Sequence, residues 1–227
     1  MSPRGTAPAA GGGVSIQVAP DRLTAWLARF DRRHMVTRTQ YGPALVRLLT
    51  ADGAYAECEP PFPPLPVSGE HEGLAAGPLV AHVERDRVVG VLLSRLGGYA
   101  AGLFQGDRLL ESKVGSRLVH GRSAAGGSSQ QRFARRREQQ ARQALAAAAD
   151  NAAAVLLPQL PRLEAVVLGG DRRAIDALRY DRRLAPLFAL AADRFLSVPD
   201  PRLAVLRKAP VLFRAVQIRL IEREVSE

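Results

Sequence analysis

A chain of 227 residues, 47% hydrophobic, has material for one large domain, or a large one with a small companion; aromatics at 5% mean a core built mainly from Leu, Val and Ala. Lys+Arg outnumber Asp+Glu by thirty-two to twenty-two, a formal +10 with pI near 11.0, which favours a polyanionic partner over a small neutral ligand. One cysteine, Cys58, excludes an internal disulfide, four scattered histidines (His34, His71, His82, His120) argue against any metal, and no apolar run approaches the ~20 residues of a membrane span.

In chain order, residues 1–13 lack an apolar stretch and read as a disordered tail rather than a signal peptide, which implies a cytoplasmic protein. Residues 14–59 form a small N-terminal unit. In "APDRLTAWLARFDRRH", Asp21 can cap a helix on which Leu23, Trp26, Leu27 and Phe30 recur at helical spacing. Five prolines between 60 and 66 then make residues 60–76 an extended, fairly stiff linker.

From residue 77 to 227 a second, larger domain is expected. "LVAHVE", "VVGVLLSRL", "YAAGLFQG" and "RLLESKVGSRLVH" are β-leaning runs parted by "RDR", "GG" and "GD", which predicts four strands in an antiparallel meander. The period then changes. From Ser129 to about Leu157 good helix formers dominate, with Phe133, Ala141, Ala144, Leu145, Ala148, Val155 and Leu156 roughly on one stripe. Arg132, Arg135, Arg136, Gln139, Arg142 and Gln143 share another face, and the half before Ala144 should project beyond the sheet. Strand "LEAVVLGG", helix "DRRAIDALRY" capped by Asp171, strand "RFLSVPDP", helix "DPRLAVLRKA" capped by Asp200 with Pro201 in first position, and strand "LFRAVQIRLIERE" complete the chain. The fold class is α/β: a mixed sheet, meander first and helix–strand units after, with flanking helices and the small N-terminal unit.

The stretch "AAGGSSQQRFARRREQQAR" (124–142) carries the chemistry. It is not a phosphate-binding P-loop, because no Lys-Ser or Lys-Thr follows the glycines. A triad of Ser128 or Ser129 with His120 lacks support in the sequence, and Asp107 and Glu111 read as turn and strand-surface residues rather than as a metal-holding pair. What remains is a glutamine on a Gly126-Gly127 tip. Its amide does not titrate, but it can donate and accept hydrogen bonds at once and so position a water beside an electrophile. Arg132, Arg135, Arg136, Arg137 and Arg142 behind the tip, and Arg122 ahead of it, suit the phosphates of an RNA scaffold.

With "YAAGLFQGDRLLESKVGSRLVHGRSAAGGSSQQRFARRRE" (99–138) leading into this tip, the region resembles the catalytic domain of archaeal and eukaryotic class-one release factors. It is most similar to the actinobacterial branch of release-factor-like peptidyl-tRNA hydrolases that clear stalled ribosomes. The resemblance covers roughly two-thirds of the chain, counted to about residue 225. It implies a ribonuclease-H-related mixed sheet whose tip enters the peptidyl-transferase centre of the large subunit, where glutamine helps water attack the ester joining peptide to tRNA. Ser128 and Ser129 stand between Gly127 and the glutamines, so the catalytic role is carried to Gln130, with Gln131 in reserve. The implied partners are large-subunit rRNA and peptidyl-tRNA, met by a monomer needing no cofactor. A tip that docks without catalysing, in a ribosome or tRNA binder, is one alternative. A ribonuclease acting near the tRNA 3′ end is the other.

Overall fold

The computed structural model describes residues 7–9, 13–95, 97–116 and 129–222. Its strands are β1 (Ala7–Ala9), β2 (Gly13–Val18), β3 (Val36–Tyr41), β4 (Val46–Thr50), β5 (Tyr55–Glu59), β6 (Gly69–Glu72), β7 (Val88–Arg95), β8 (Gly98–Gln105), β9 (Arg108–Ser116), β10 (Ala165–Gly170), β11 (Ala191–Leu196) and β12 (Val216–Ile221). The helices are α1 (Pro20–His34), α2 (Gly77–Glu84), α3 (Ser129–Leu156), α4 (Arg172–Leu178), α5 (Ala185–Ala189), α6 (Leu203–Arg207) and α7 (Ala209–Phe213), with single 3-10 turns at Leu157–Gln159 and Arg182–Leu184.

The chain divides into two compact units: residues 1–85 together with 211–227, and residues 86–210. The first holds an antiparallel sheet in the order β1-β2-β12-β5-β4-β3-β6. Its core is Leu23, Leu27 and Phe30 of α1, Leu79 and Val83 of α2, and the inward-facing Val46, Leu48, Ala56, Cys58, Val216 and Ile218 of the strands. Alternation along β4, β5 and β12 turns Arg47, Glu57 and Arg219 to the other face, where they are cross-strand neighbours. Burial alone would push the Glu57 carboxyl up, but hydrogen bonds from Arg219 and Arg47 outweigh it and hold the group below the usual carboxylate range. Cys58 sits fully inside, where burial pushes its thiol up to about 12 and leaves it unreactive.

Several expectations change here. The tail assigned to residues 1–13 contributes to the sheet, since Ala7–Ala9 pairs with Gly13–Ser15. Asp21 is not the cap of α1. Ala19 occupies that place without a side-chain bond, Pro20 opens the helix, and Asp21 falls in the first turn, where a negative charge favours the helix dipole. "LVAHVE" is the helix α2, not a strand: Leu79, His82 and Val83 recur at i, i+3 and i+4 and face inward, and His82 Nε2 meets the Pro61 carbonyl at 2.9 Å.

The proline segment is no stand-off linker either. Leu65 is buried in the first core and donates its N–H to the Pro43 carbonyl (2.7 Å), while the Phe62 ring packs edge-on against Phe213. Residues 60–76 therefore belong to the first unit, as does α2, and the boundary lies at 85/86 rather than at 76/77. β12, expected inside the second domain, completes the first sheet because its alternating Val216 and Ile218 find partners on β2 and β5.

The second unit holds a mixed sheet, β11-β10-β7-β8-β9. β7, β8 and β9 form an antiparallel meander of three strands, and β10 and β11 add to it in parallel, as helix–strand units require. Its core joins Leu92, Leu103, Val166 and Leu168 of the sheet to Ala148, Ala152, Val155 and Leu156 of α3 and Ile175 and Leu178 of α4. Gly90 lets α3 approach closely, because a Cβ there would lie 3.2 Å from Leu156 Cδ2. Gly170 ends β10 at φ +102, and Asp171 next caps α4, accepting from the N–H groups of Arg173 (2.8 Å) and Ala174 (3.2 Å). Asp200 does not cap α6. Arg202 takes that position, and the Asp200 carboxylate instead accepts from Arg202 Nε at 3.1 Å.

Candidate functional site

α3 is the element that positions the expected site. Its 28 residues make it about 42 Å long at ~1.5 Å per residue. Burial divides it in two. From Ala144 onward Ala148, Ala149, Ala152, Val155 and Leu156 are buried against the sheet and its neighbours. Before Ala144, Arg135, Glu138, Gln139, Arg142 and Gln143 are exposed. Ala144 to Ser129 is fifteen residues, roughly 22 Å of helix anchored at one end only among the described residues.

Gln130, Gln131 and Arg132 lie in the first turn of this helix, followed by Arg135, Arg136, Arg137 and Arg142. The spacing expected from the sequence is therefore realised as helix, and the exposed Arg135, Gln139, Arg142 and Gln143 fall on its shared face. Gly126, Gly127 and Arg122 lie outside the described residues. Arg142 meets Glu138 at 3.8 Å with both side chains about 70% exposed, an i,i+4 pair of the kind worth only a few tenths of a kcal/mol, ~0.3–0.5. Gln140 Oε1 is shielded from solvent and has no hydrogen-bond partner among the described residues. No group of three or more His, Cys, Asp or Glu among the described residues is placed to hold a metal.

The charge is partitioned as sharply as the fold. Residues 86–210 carry twenty-one Lys/Arg against eleven Asp/Glu, while the first unit carries eleven of each. The whole excess of +10 thus belongs to the unit that contains α3. Two groups escaped the sequence reading. The His34–Asp52 pair spans 18 residues, which no local pattern reveals. Tyr180 was placed inside a helix, yet α4 stops at Leu178 and the ring is 88% exposed in the turn beyond it; the signal available was an aromatic residue set in "LRYDRR", after the apolar stripe has ended.

Residues 87–219, more than half of the chain, match a family model of release factors, which makes this a release-factor-like translation factor. The family is that of the Actinobacteria/chloroflexi VLRF1 release factor (acVLRF1), and the chain belongs to it. The match runs through the second unit and into β12. Among solved structures the chain is similar to an archaeal translation termination factor, aRF1, at 17% identity and TM-score 0.42, over 86% of this chain and 62% of that one. It is also similar to Dom34 of S. cerevisiae (8% identity, TM-score 0.34, 92% and 66%) and to Pelota of Archaeoglobus fulgidus (10%, 0.29, 94% and 67%). The chain spans less than two-thirds of the archaeal factor's length. No curated protein matches it. No helix among the described residues is long and apolar enough to cross a membrane.

Proposed function

We propose that this protein is a cytoplasmic peptidyl-tRNA hydrolase that frees nascent chains from stalled large ribosomal subunits, with Gln130 as its catalytic residue. One observation supports this above others: the Gly126-Gly127-Ser128 sequence runs directly into the first turn of α3, a long helix whose buried residues, among those described, begin at Ala144, fourteen residues after Gln130. The chain's membership of a release-factor family supports a role in translation. The Gln130 amide accepts a hydrogen bond from a water and orients its lone pair toward the ester carbonyl carbon. The water oxygen bonds to that carbon, the bond to the tRNA 3′ oxygen breaks, one water proton ends on that oxygen and the other passes to solvent, and the products are a peptide carboxylate and a free 3′ hydroxyl. The first-turn N–H groups of a helix lack intrahelical acceptors and suit the oxyanion that forms on the way. Arg132, Arg135, Arg136, Arg137 and Arg142, with Arg122, hold rRNA phosphates and leave the chemistry to the amide.

The test uses stalled large subunits bearing a labelled nascent chain, resolving tRNA-linked from released peptide. Gln130→Ala should bind these particles and melt within ~0.5 kcal/mol of the parent, since surface changes usually cost no more. It should release peptide on the order of 10- to 1000-fold more slowly, the scale of losing one oriented hydrogen-bonding group from a transition state. Gln131→Ala should be milder; Gly126→Val and Gly127→Val should do comparable damage by restricting the backbone. Parental release rates in both glutamine variants would reduce the tip to a docking finger. Nucleotides left on the released peptide would point to a ribonuclease.

A further inference from the structure

The turn after α4 holds an aromatic ring in the open. Tyr180 is 88% exposed, more than any other large hydrophobic residue among those described. Among the described residues its phenol makes no hydrogen bond or ring contact. The backbone beneath it is nonetheless pinned: Tyr180 N–H donates to the Ala177 carbonyl (3.3 Å), Asp181 N–H to Leu178 (3.1 Å), and Leu184 N–H to Asp181 (3.0 Å). Arg183 clamps the turn further. Its guanidinium binds the Asp181 carboxylate on one side and Asp150 of α3 on the other, at 2.6 and 2.9 Å.

The charges around the ring are arranged unequally. Asp176 is engaged by Arg179 at 3.5 Å, and Asp150 and Asp181 by Arg183, so the nearby carboxylates are occupied. Arg173 and Arg182 are exposed, and neither guanidinium has an ion-pair partner among the described residues. All of this lies in the unit that carries the chain's entire excess of positive charge. A lone exposed aromatic is ordinary on a protein surface. One carried on a hydrogen-bonded turn, with Arg182 two residues after it and Arg173 seven before it, has the composition of a single-strand contact, in which a base stacks on the ring and cations take the flanking phosphates.

We infer that Tyr180 is a stacking platform for an unpaired base of large-subunit rRNA, with Arg173 and Arg182 on the adjoining phosphates. This contact rests on the large subunit being the partner proposed above, but it is independent of the chemistry at Gln130. Asp150, to which the turn is tied, lies twenty residues along α3 from Gln130, about 30 Å at ~1.5 Å per residue. Tyr180 therefore anchors the protein and does not touch the ester.

The experiment measures binding of the full chain to vacant large subunits by sedimentation, and release from peptidyl-tRNA-bearing subunits over a range of protein concentrations. Tyr180→Ala should weaken binding about tenfold, as expected for one lost base stack, with an unchanged melt. Tyr180→Phe should bind like the parent, because stacking needs the ring and not the hydroxyl. Tyr180→Leu should behave like Tyr180→Ala. Arg173→Gln with Arg182→Gln should flatten the salt dependence, by up to about 0.9 units of log-log slope per phosphate. In release assays Tyr180→Ala should raise the half-saturating concentration and leave the saturating rate intact, the opposite of Gln130→Ala. Parental binding by Tyr180→Ala would overturn the proposal. So would Tyr180→Leu matching Tyr180→Phe, which marks an apolar protein partner, or a defect seen only when tRNA is present. A parent that binds vacant subunits through Tyr180 but releases no peptide would sink the hydrolase and leave this contact standing.

Discussion

Asp52 sits in the turn between β4 and β5 and draws three donors onto one carboxylate. Thr50 donates its hydroxyl, Ala54 its N–H at 3.1 Å, and His34, at the end of α1, meets the carboxylate through Nδ1 at 2.8 Å. The Thr50 hydroxyl first, and then His34, lower the carboxyl to about 2. A carboxyl lowered on folding stabilises the fold fully above its unfolded value near ~3.9, and that contribution is lost as pH falls toward about 2. Asp52→Asn should thus melt lower than the parent at pH 7, and its melting temperature should fall less steeply between pH 4 and 2. Thermal melts across that range check both; coincident curves would mean the carboxylate does nothing for stability. The tie between Asp52 and His34 is not legible in the sequence, because contacts across 18 residues leave no local period. Tyr180 was hidden for a related reason: helix propensity carries past Leu178, and only the hydrogen bonds of the turn show where α4 stops.

Elements were readable in proportion to their length. α3 was expected from Ser129 to about Leu157 and runs from Ser129 to Leu156, because many turns of one period leave no competing pattern. α2 has eight residues, in which alternating and helical spacings both fit, and packing against the first core decides for the helix. Asp21 and Asp200 failed as caps because a residue that favours the cap position is only a prior, and the neighbouring backbone placed Ala19 and Arg202 there. The half of α3 before Ala144 has its own prediction. Replacing Arg132, Arg135, Arg136 and Arg142 with Gln should weaken binding to large subunits and flatten its salt dependence, each lost phosphate contact removing about 0.9 units of log-log slope or less. Solution stability should scarcely change, since Arg135 and Arg142 are exposed and the nearest described ion pair is a weak one. An unaltered salt profile would leave the arginines as a solvated face.

Across the whole molecule, the sequence conveyed the mixed sheet of the second unit and missed how the chain is shared out. Composition shifted at the prolines, yet Leu65 and Phe62 show that segment folded into the first unit; and β12 looked like any terminal strand, since alternation states that a strand exists and not which sheet receives it. In a fragment of residues 67–227 only residues 86–210 should fold cooperatively. The fragment keeps α2 and β12 but discards β2 to β5, leaving Leu79, Val83, Val216 and Ile218 without their partners. Residues 86–210 should fold alone, with the core of the second sheet intact. Urea melts of the two fragments discriminate: a cooperative transition for 67–227 matching the full chain would show that the first sheet is dispensable.

The position of β12 between β2 and β5 also sets an order of events during translation. Domains usually finish folding from the N-terminus onward as the chain is made. Here residues 86–210 must be synthesised before β12 arrives, so the unit begun first is completed second. Until then β2 and β5 each present a bare edge, and such edges recruit foreign strands. A nascent chain halted after Pro210 would carry α3 and its glutamines in full while the leading sheet was still split between β2 and β5.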